Sequence, residues 1–228
     1  MVTAPVHSAT GQDISNVLWA HARLAVQIPA AWQRALLQSM ARESILQEAT
    51  SQALVNVLYA VVHLQQLPGW NPAVNAQTVW GRLLAPQQLQ KIADTDRPQG
   101  VANALEALAD MASAGQPISA ADANTAAVHL LHGSVVKQMH KWNALDVRES
   151  AAACTRLGLR DPQFLAALVK RSLQLVQQGK AGSGSGSRSL SPVQSQELVQ
   201  AVVSAVAALD LQELSEDAES LKVAVVAS

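Results

Sequence analysis

Cysteine is almost absent from this 228-residue chain: Cys154 stands alone, so no intrachain disulfide can form and no cysteine-based metal site can be built from the chain by itself. A reducing compartment fits that usage. Aromatic residues are nearly as scarce, with one Phe, one Tyr and five Trp, so any core must be made of Ala, Leu and Val. Such a composition favours closely packed helices over sheet. No run of eighteen apolar residues occurs, and the most apolar stretch, 201–209, is far too short to cross a bilayer, which predicts a soluble protein or a subunit rather than a membrane-spanning one. The segment 1–11 has neither an apolar signal core nor an Arg-rich amphipathic face, so no targeting peptide is read there.

What is present is helix and its punctuation. About half of the residues are apolar, enough for one continuous core or a run of stacked repeats. Asn71-Pro72, Asp161-Pro162 and Ser191-Pro192 read as helix starts, and Ser119 with Asp122 reads as a capping box in which Asp replaces the usual Glu. Gly69, Gly115, Gly158 and Gly179 sit where helices could end. Together these marks predict helices near 13–26, 30–48, 51–66, 72–92, 98–114, 119–140, 145–157, 161–178, 192–209 and 213–225. Apolar residues recur at spacings of three and four rather than two, so an all-α fold is expected. Residues 180–190, KAGSGSGSRSL, form a Gly/Ser-rich segment expected to behave as flexible coil, which divides the chain into 1–178, a linker at 179–191, and 192–228.

Self-similarity carries more information than composition does. Ile14-Ser15-Asn16-Val17-Leu18-Trp19-Ala20-His21-Ala22-Arg23-Leu24 aligns without gaps on Leu54-Val55-Asn56-Val57-Leu58-Tyr59-Ala60-Val61-Val62-His63-Leu64. A third copy runs from Val101 through Asn103, Leu105 and Ala107 to Met111, keeping the Asn and the apolar skeleton but losing the aromatic. Weaker copies begin at Val147 and at Leu198, where Gln200 stands in for Asn. In each copy the apolar positions, with a small Ala among them, line one helical face that a neighbouring helix can approach closely. A second amphipathic helix follows, introduced by Trp32 after the first copy and by Phe164 after the fourth. One such hairpin cannot bury its own apolar face. An α-solenoid of about five degenerate helical-hairpin repeats, with a right-handed superhelix, is therefore expected, and 192–228 would hold the last repeat and a capping or partner-docking helix.

The string from Asn16 to Leu24, a short turn and then Trp32 resemble the octotricopeptide repeat of green-algal organelle proteins, which has a related Asn-x-Leu-Trp-Ala-x-Ala-x-Leu core. The first two copies, roughly 13–92, match that core well, while the later three are degenerate and longer than the family's period. The resemblance implies a paired-helix solenoid of mitochondria or chloroplasts, the mitochondrial matrix being the expected compartment. It further implies binding of organellar RNA, ribosomal RNA included, among neighbouring protein subunits.

Charge is unevenly spread. From His129 to Arg188 there are nine Lys and Arg against three acids, whereas 189–228 hold Lys222 against six acids. Because Lys and Arg supply the sequence-independent affinity for phosphate, RNA contact is expected at Lys137, Lys141, Arg148, Arg156, Arg160 and Arg171, with Trp142 as the stacking residue. A solvated helix face is the alternative reading of the same charges. Trp19, Tyr59 and Trp32 recur on apolar faces and are expected in the core. Asn16, Asn56 and Asn103 either tie their helices to the preceding loop, the preferred reading, or contact bases from a concave face.

Catalytic and cofactor patterns fail. His129, His132 and His140 have no helically spaced carboxylate or Cys to complete a zinc site. Gly182, Gly184 and Gly186 alternate with Ser, follow no strand and lead to no Lys-Ser or Lys-Thr, so neither phosphate-loop pattern is present. No serine-nucleophile motif occurs. No enzyme, no cofactor and no small-molecule substrate are expected. The rival to an RNA-binding subunit is a protein-binding helical scaffold, since helical repeats serve both.

Overall fold

Short polar side chains start the helices where the sequence places them. In the computed structural model, Thr10 and Asn143 close capping boxes with Asp13 and Asp146. The Thr50 hydroxyl accepts the Ala53 N–H, and Ser191 caps a helix that opens on Pro192. The structure describes residues 8–71, 76–94, 97–115, 117–131, 134–181 and 190–226. Among them are thirteen α-helices, two short 3₁₀ turns and no strand. These are α1 (Gly11–Leu24), α2 (Ala30–Met40), α3 (Glu43–Glu48), α4 (Ser51–Gln65), α5 (Ala76–Leu83), α6 (Pro86–Ala93) and α7 (Pro98–Ala114). Then follow α8 (Ala120–Leu131), α9 (Ser134–Gln138), α10 (Ala144–Leu157), α11 (Pro162–Ala181), α12 (Pro192–Ala208) and α13 (Ser215–Val226).

The five motif copies fall on α1, α4, α7, α10 and α12, and these helices pack in that order: α1 on α4, α4 on α7, α7 on α10, and α10 on α12. The remaining helices form a second row, with contacts of α2 to α5, α6 to α8, α9 to α11 and α11 to α13. Between the rows lies one apolar core, in which Ile14, Leu18, Leu58, Leu105 and Val147 are all buried. Ala60, Ala104, Ala107 and Ala151 are buried among them, and their small side chains allow the motif helices to approach one another. Leu24 departs from the repeat: its counterparts Leu64 and Met111 are buried, but Leu24 ends α1 and is 72% exposed.

Three expected second helices are each divided. Arg42, extended at ψ 139°, separates α2 from α3, and Ala85, extended at ψ 146°, separates α5 from α6. The latter break has a plain cause, because proline disfavours helical geometry in the residue before it, and Pro86 follows Ala85. The expected helix at 119–140 becomes α8, α9 and a 3₁₀ turn. Conversely, α11 runs through Gly179 rather than ending there. The Gly/Ser segment at 182–189 lies outside the described residues. No described helix is long and apolar enough to cross a membrane.

Polar side chains join successive hairpins. The buried Gln33 of α2 donates to the carbonyls of Ile28 and Gly69 and accepts the Asn71 N–H. Asn124 of α8 donates to Leu157 at the end of α10, and Lys91 of α6 reaches the carbonyls of Leu46 and Gln47 on α3. The donated bonds satisfy helix-end and loop carbonyls, and the accepted one satisfies the Asn71 N–H.

Candidate nucleic-acid interface

The motif helices leave one face out of the core, and equivalent positions of successive copies share it. A groove of about 710 Å³ runs across this face, lined by Gln12, Asn16 and Trp19 of α1, Gln52 and Asn56 of α4, and Gln99 and Asn103 of α7. Arg97, Lys141, Asn143 and Asp146 also line it. Every motif Asn on it is preceded four residues earlier by Gln, one helical turn away. In α1 the Gln12 amide donates to Asn16 Oδ1 at 2.8 Å, and in α4 Gln52 donates to Asn56 at 2.8 Å. Arg97 in turn donates to Gln52 Oε1 at 3.3 Å, across from the start of α7 to α4. The expected tie between motif Asn and preceding loop is absent in α1 and α4: Asn16 and Asn56 each take their bond from a Gln side chain of their own helix. Asn and Gln each carry a donor and an acceptor, the complement of a base edge.

Three arginines of the expected basic patch are bonded within the chain. Arg148 pairs with Glu197 of α12 at 2.7 Å, and Arg156 pairs with Asp110 of α7. Arg171 donates through Nε to the Trp142 carbonyl at 2.8 Å and through its guanidinium to Gln174. Partial burial holds the Arg171 pKa below its usual value. Lys137 is exposed on α9, and Arg160 is exposed after α10. Of the seven expected residues, only Lys141 lines the groove.

For the three tryptophans the expectations are reversed, while Tyr59 packs against the core as expected. Trp142 is 1% exposed, its ring set edge-on to Phe164 with centroids 5.9 Å apart, so its faces are not available to a base. Trp19 and Trp32, expected in the core, are 43% and 41% exposed, and Tyr59 is half-buried. Helical geometry accounts for Trp19: at about 100° per residue it lies about 100° from Leu18 and about 140° from Ile14, off the buried stripe. The Gln that opens each of the first three motifs is legible in the sequence as a four-residue spacing ahead of Asn. Arg97, by contrast, belongs to no repeat and has no signal of its own.

Acids stand beside the cations on this face. Burial, then the Glu106 carboxylate, hold the Glu149 pKa above its ordinary value, with Arg148 opposing. Burial likewise raises Asp146, whose Oδ2 accepts the Asn143 N–H while Oδ1 has no partner. Cys154, buried in α10, has its thiol pushed up to about 12 by burial and then by Asp161. Among the described residues no three His, Cys, Asp or Glu side chains are placed to hold a metal, and His132 lies outside them. A second cavity of about 410 Å³, between the α5–α6 segment and α8, is bordered by Trp80, Leu84, Pro86, Ile118 and His129. In comparison with known proteins, no family model and no curated protein matches this chain.

Proposed function

We propose that the protein is a non-catalytic RNA-binding helical-repeat protein of an organelle, an accessory subunit that stabilises RNA in a ribonucleoprotein particle such as the mitochondrial ribosome. The observation that carries this reading is the set of Gln and Asn side chains at two equivalent positions of α1, α4 and α7, facing a single groove with Arg97 and Lys141. Helical-repeat RNA readers meet unpaired bases with side chains from successive repeats, and amides supply both halves of a base-edge hydrogen bond. The ordered packing of the five motif helices supports the companion reading of a right-handed α-solenoid with about five hairpins. The compartment rests on the octotricopeptide resemblance.

Salt dependence tests it. For single strands the slope of log K against log salt is about −0.7 for each phosphate contact, so two groove cations give about −1.4. Arg97→Ala or Lys141→Ala should each flatten the slope by about 0.7. No retention of single-stranded RNA at low salt would overturn the reading.

A second reading, a protein-binding scaffold, is favoured by one observation: Glu106, Asp110, Glu149 and Glu197 stand among the cations, and two of these acids already pair with arginines. A native complex that survives ribonuclease, together with absence of RNA binding at low salt, would select it.

A further inference from the structure

Beyond the row of motif asparagines, the same helices carry a second row, whose first member, Trp19, borders the amide groove. Three residues after each Asn stand Trp19, Tyr59 and Glu106, and four residues beyond those stand Arg23, His63 and Asp110. In the first copy a cation lies over the ring, and in the second the two rings are stacked. The Arg23 guanidinium carbon lies 5.9 Å from the centroid of the Trp19 ring, and the His63 ring lies 3.9 Å from that of Tyr59 at an interplanar angle of 27°. In the third copy both members are acids, and Asp110 is taken by Arg156.

Trp19 lies outside the core, and Tyr59 is half-buried against it. Ile14, Leu18 and Ala22 bury α1, and Leu54, Leu58 and Val61 bury α4, while Trp19 keeps 43% of its surface in water at the rim of the groove. An exposed aromatic beside amides and cations supplies a face for a base, an edge reader for the same base and charge for its phosphate, which is the combination single-strand binders use. Acids at the equivalent positions of α7 repel phosphate and offer no ring.

We propose that Trp19 and Tyr59 are successive base-stacking platforms for an unpaired RNA segment seated across α1 and α4, with its base edges at Asn16 and Asn56 and its stacked portion ending before Glu106 and Asp110. This rests on the RNA-binding reading above. Stacking on the rings is tolerant of base identity, the amides meet the base edges, and Arg97 and Lys141 on the groove serve the phosphates.

The test is fluorescence anisotropy of a labelled oligoadenylate octamer and of an abasic octamer with the same sugar–phosphate backbone, using the full chain at low salt. Trp19→Ala should weaken RNA binding about tenfold and leave the abasic strand unchanged. Tyr59→Leu, which keeps apolar volume at a half-buried site, should do the same. Trp32→Ala, which removes an exposed tryptophan of α2 away from the groove, should change neither. Glu106→Tyr, which rebuilds the ring in the third copy, should tighten RNA binding. If Trp19→Ala and Tyr59→Leu bind RNA as the parent does, or lose RNA and abasic strand equally, stacking is refuted while RNA binding stands. If the parent binds neither strand, the RNA-binding reading itself fails.

Discussion

At Glu149 the protein places an acid where the first three motif copies place Asn, and the substitution has a price that pH reveals. Burial and the neighbouring Glu106 hold its pKa above the ordinary carboxylate value, so at intermediate pH the folded protein keeps a proton that the unfolded chain has released. The stabilisation from this group is therefore complete below the unfolded value of about 4 and is lost as pH rises through the folded value. Asp13 works in the opposite sense, because its bonds with Thr10 lower its pKa and its contribution is lost on acidification. Comparing Glu149→Gln with the parent isolates the first effect. At pH 7 the variant should melt higher than the parent, and the difference should shrink as pH falls towards about 4. An equal difference in melting temperature at both ends of that range would remove the assigned cause.

Helix ends show what the sequence discloses and what it withholds. Gly158 is legible as a terminator, and it adopts the left-handed conformation at φ 65°, with the Leu159 N–H returned to the Cys154 carbonyl. The same closure ends α1, where the Val26 N–H returns to the His21 carbonyl, but the left-handed residue is Ala25 at φ 51°. Nothing in the residue type announces that turn, since it is imposed by the tertiary path into α2. An L-residue with a Cβ is strained there by about 1–2 kcal/mol, offset in part by the entropy glycine loses on folding. Ala25→Gly should thus stabilise the protein by about 0.5–1 kcal/mol, read from the denaturant midpoint at unchanged slope. Pro86 was equally visible and its break between α5 and α6 could have been read, whereas the break at Arg42 has no comparable marker. The motif helices themselves were legible because their buried faces repeat. The groove was not, because a surface shows only weakly in apolar periodicity and its partners come from separate helices.

Across the whole molecule, the order of packing governs how a local loss spreads. Each motif helix meets chiefly the copies before and after it, and α7 stands in the middle, held by α4 and α10 in its own row and by α8 in the other. The terminal helices have neighbours on one side of their row, so they should open at lower free energy than α7, which predicts a gradient of amide hydrogen exchange with greatest protection on α7. Leu105 is fully buried on α7, and Leu105→Ala should cost about 2–5 kcal/mol. Its effect should appear as faster exchange in α4 and α10 together, because both lose their shared support. Leu221, fully buried on α13, provides the contrast: Leu221→Ala should speed exchange in α11, α12 and α13, the helices it packs with, and leave α1 and α4 unchanged. A uniform rise along the chain for both variants would mean that the protein opens only as a single unit, and nearest-neighbour packing would then not set its stability.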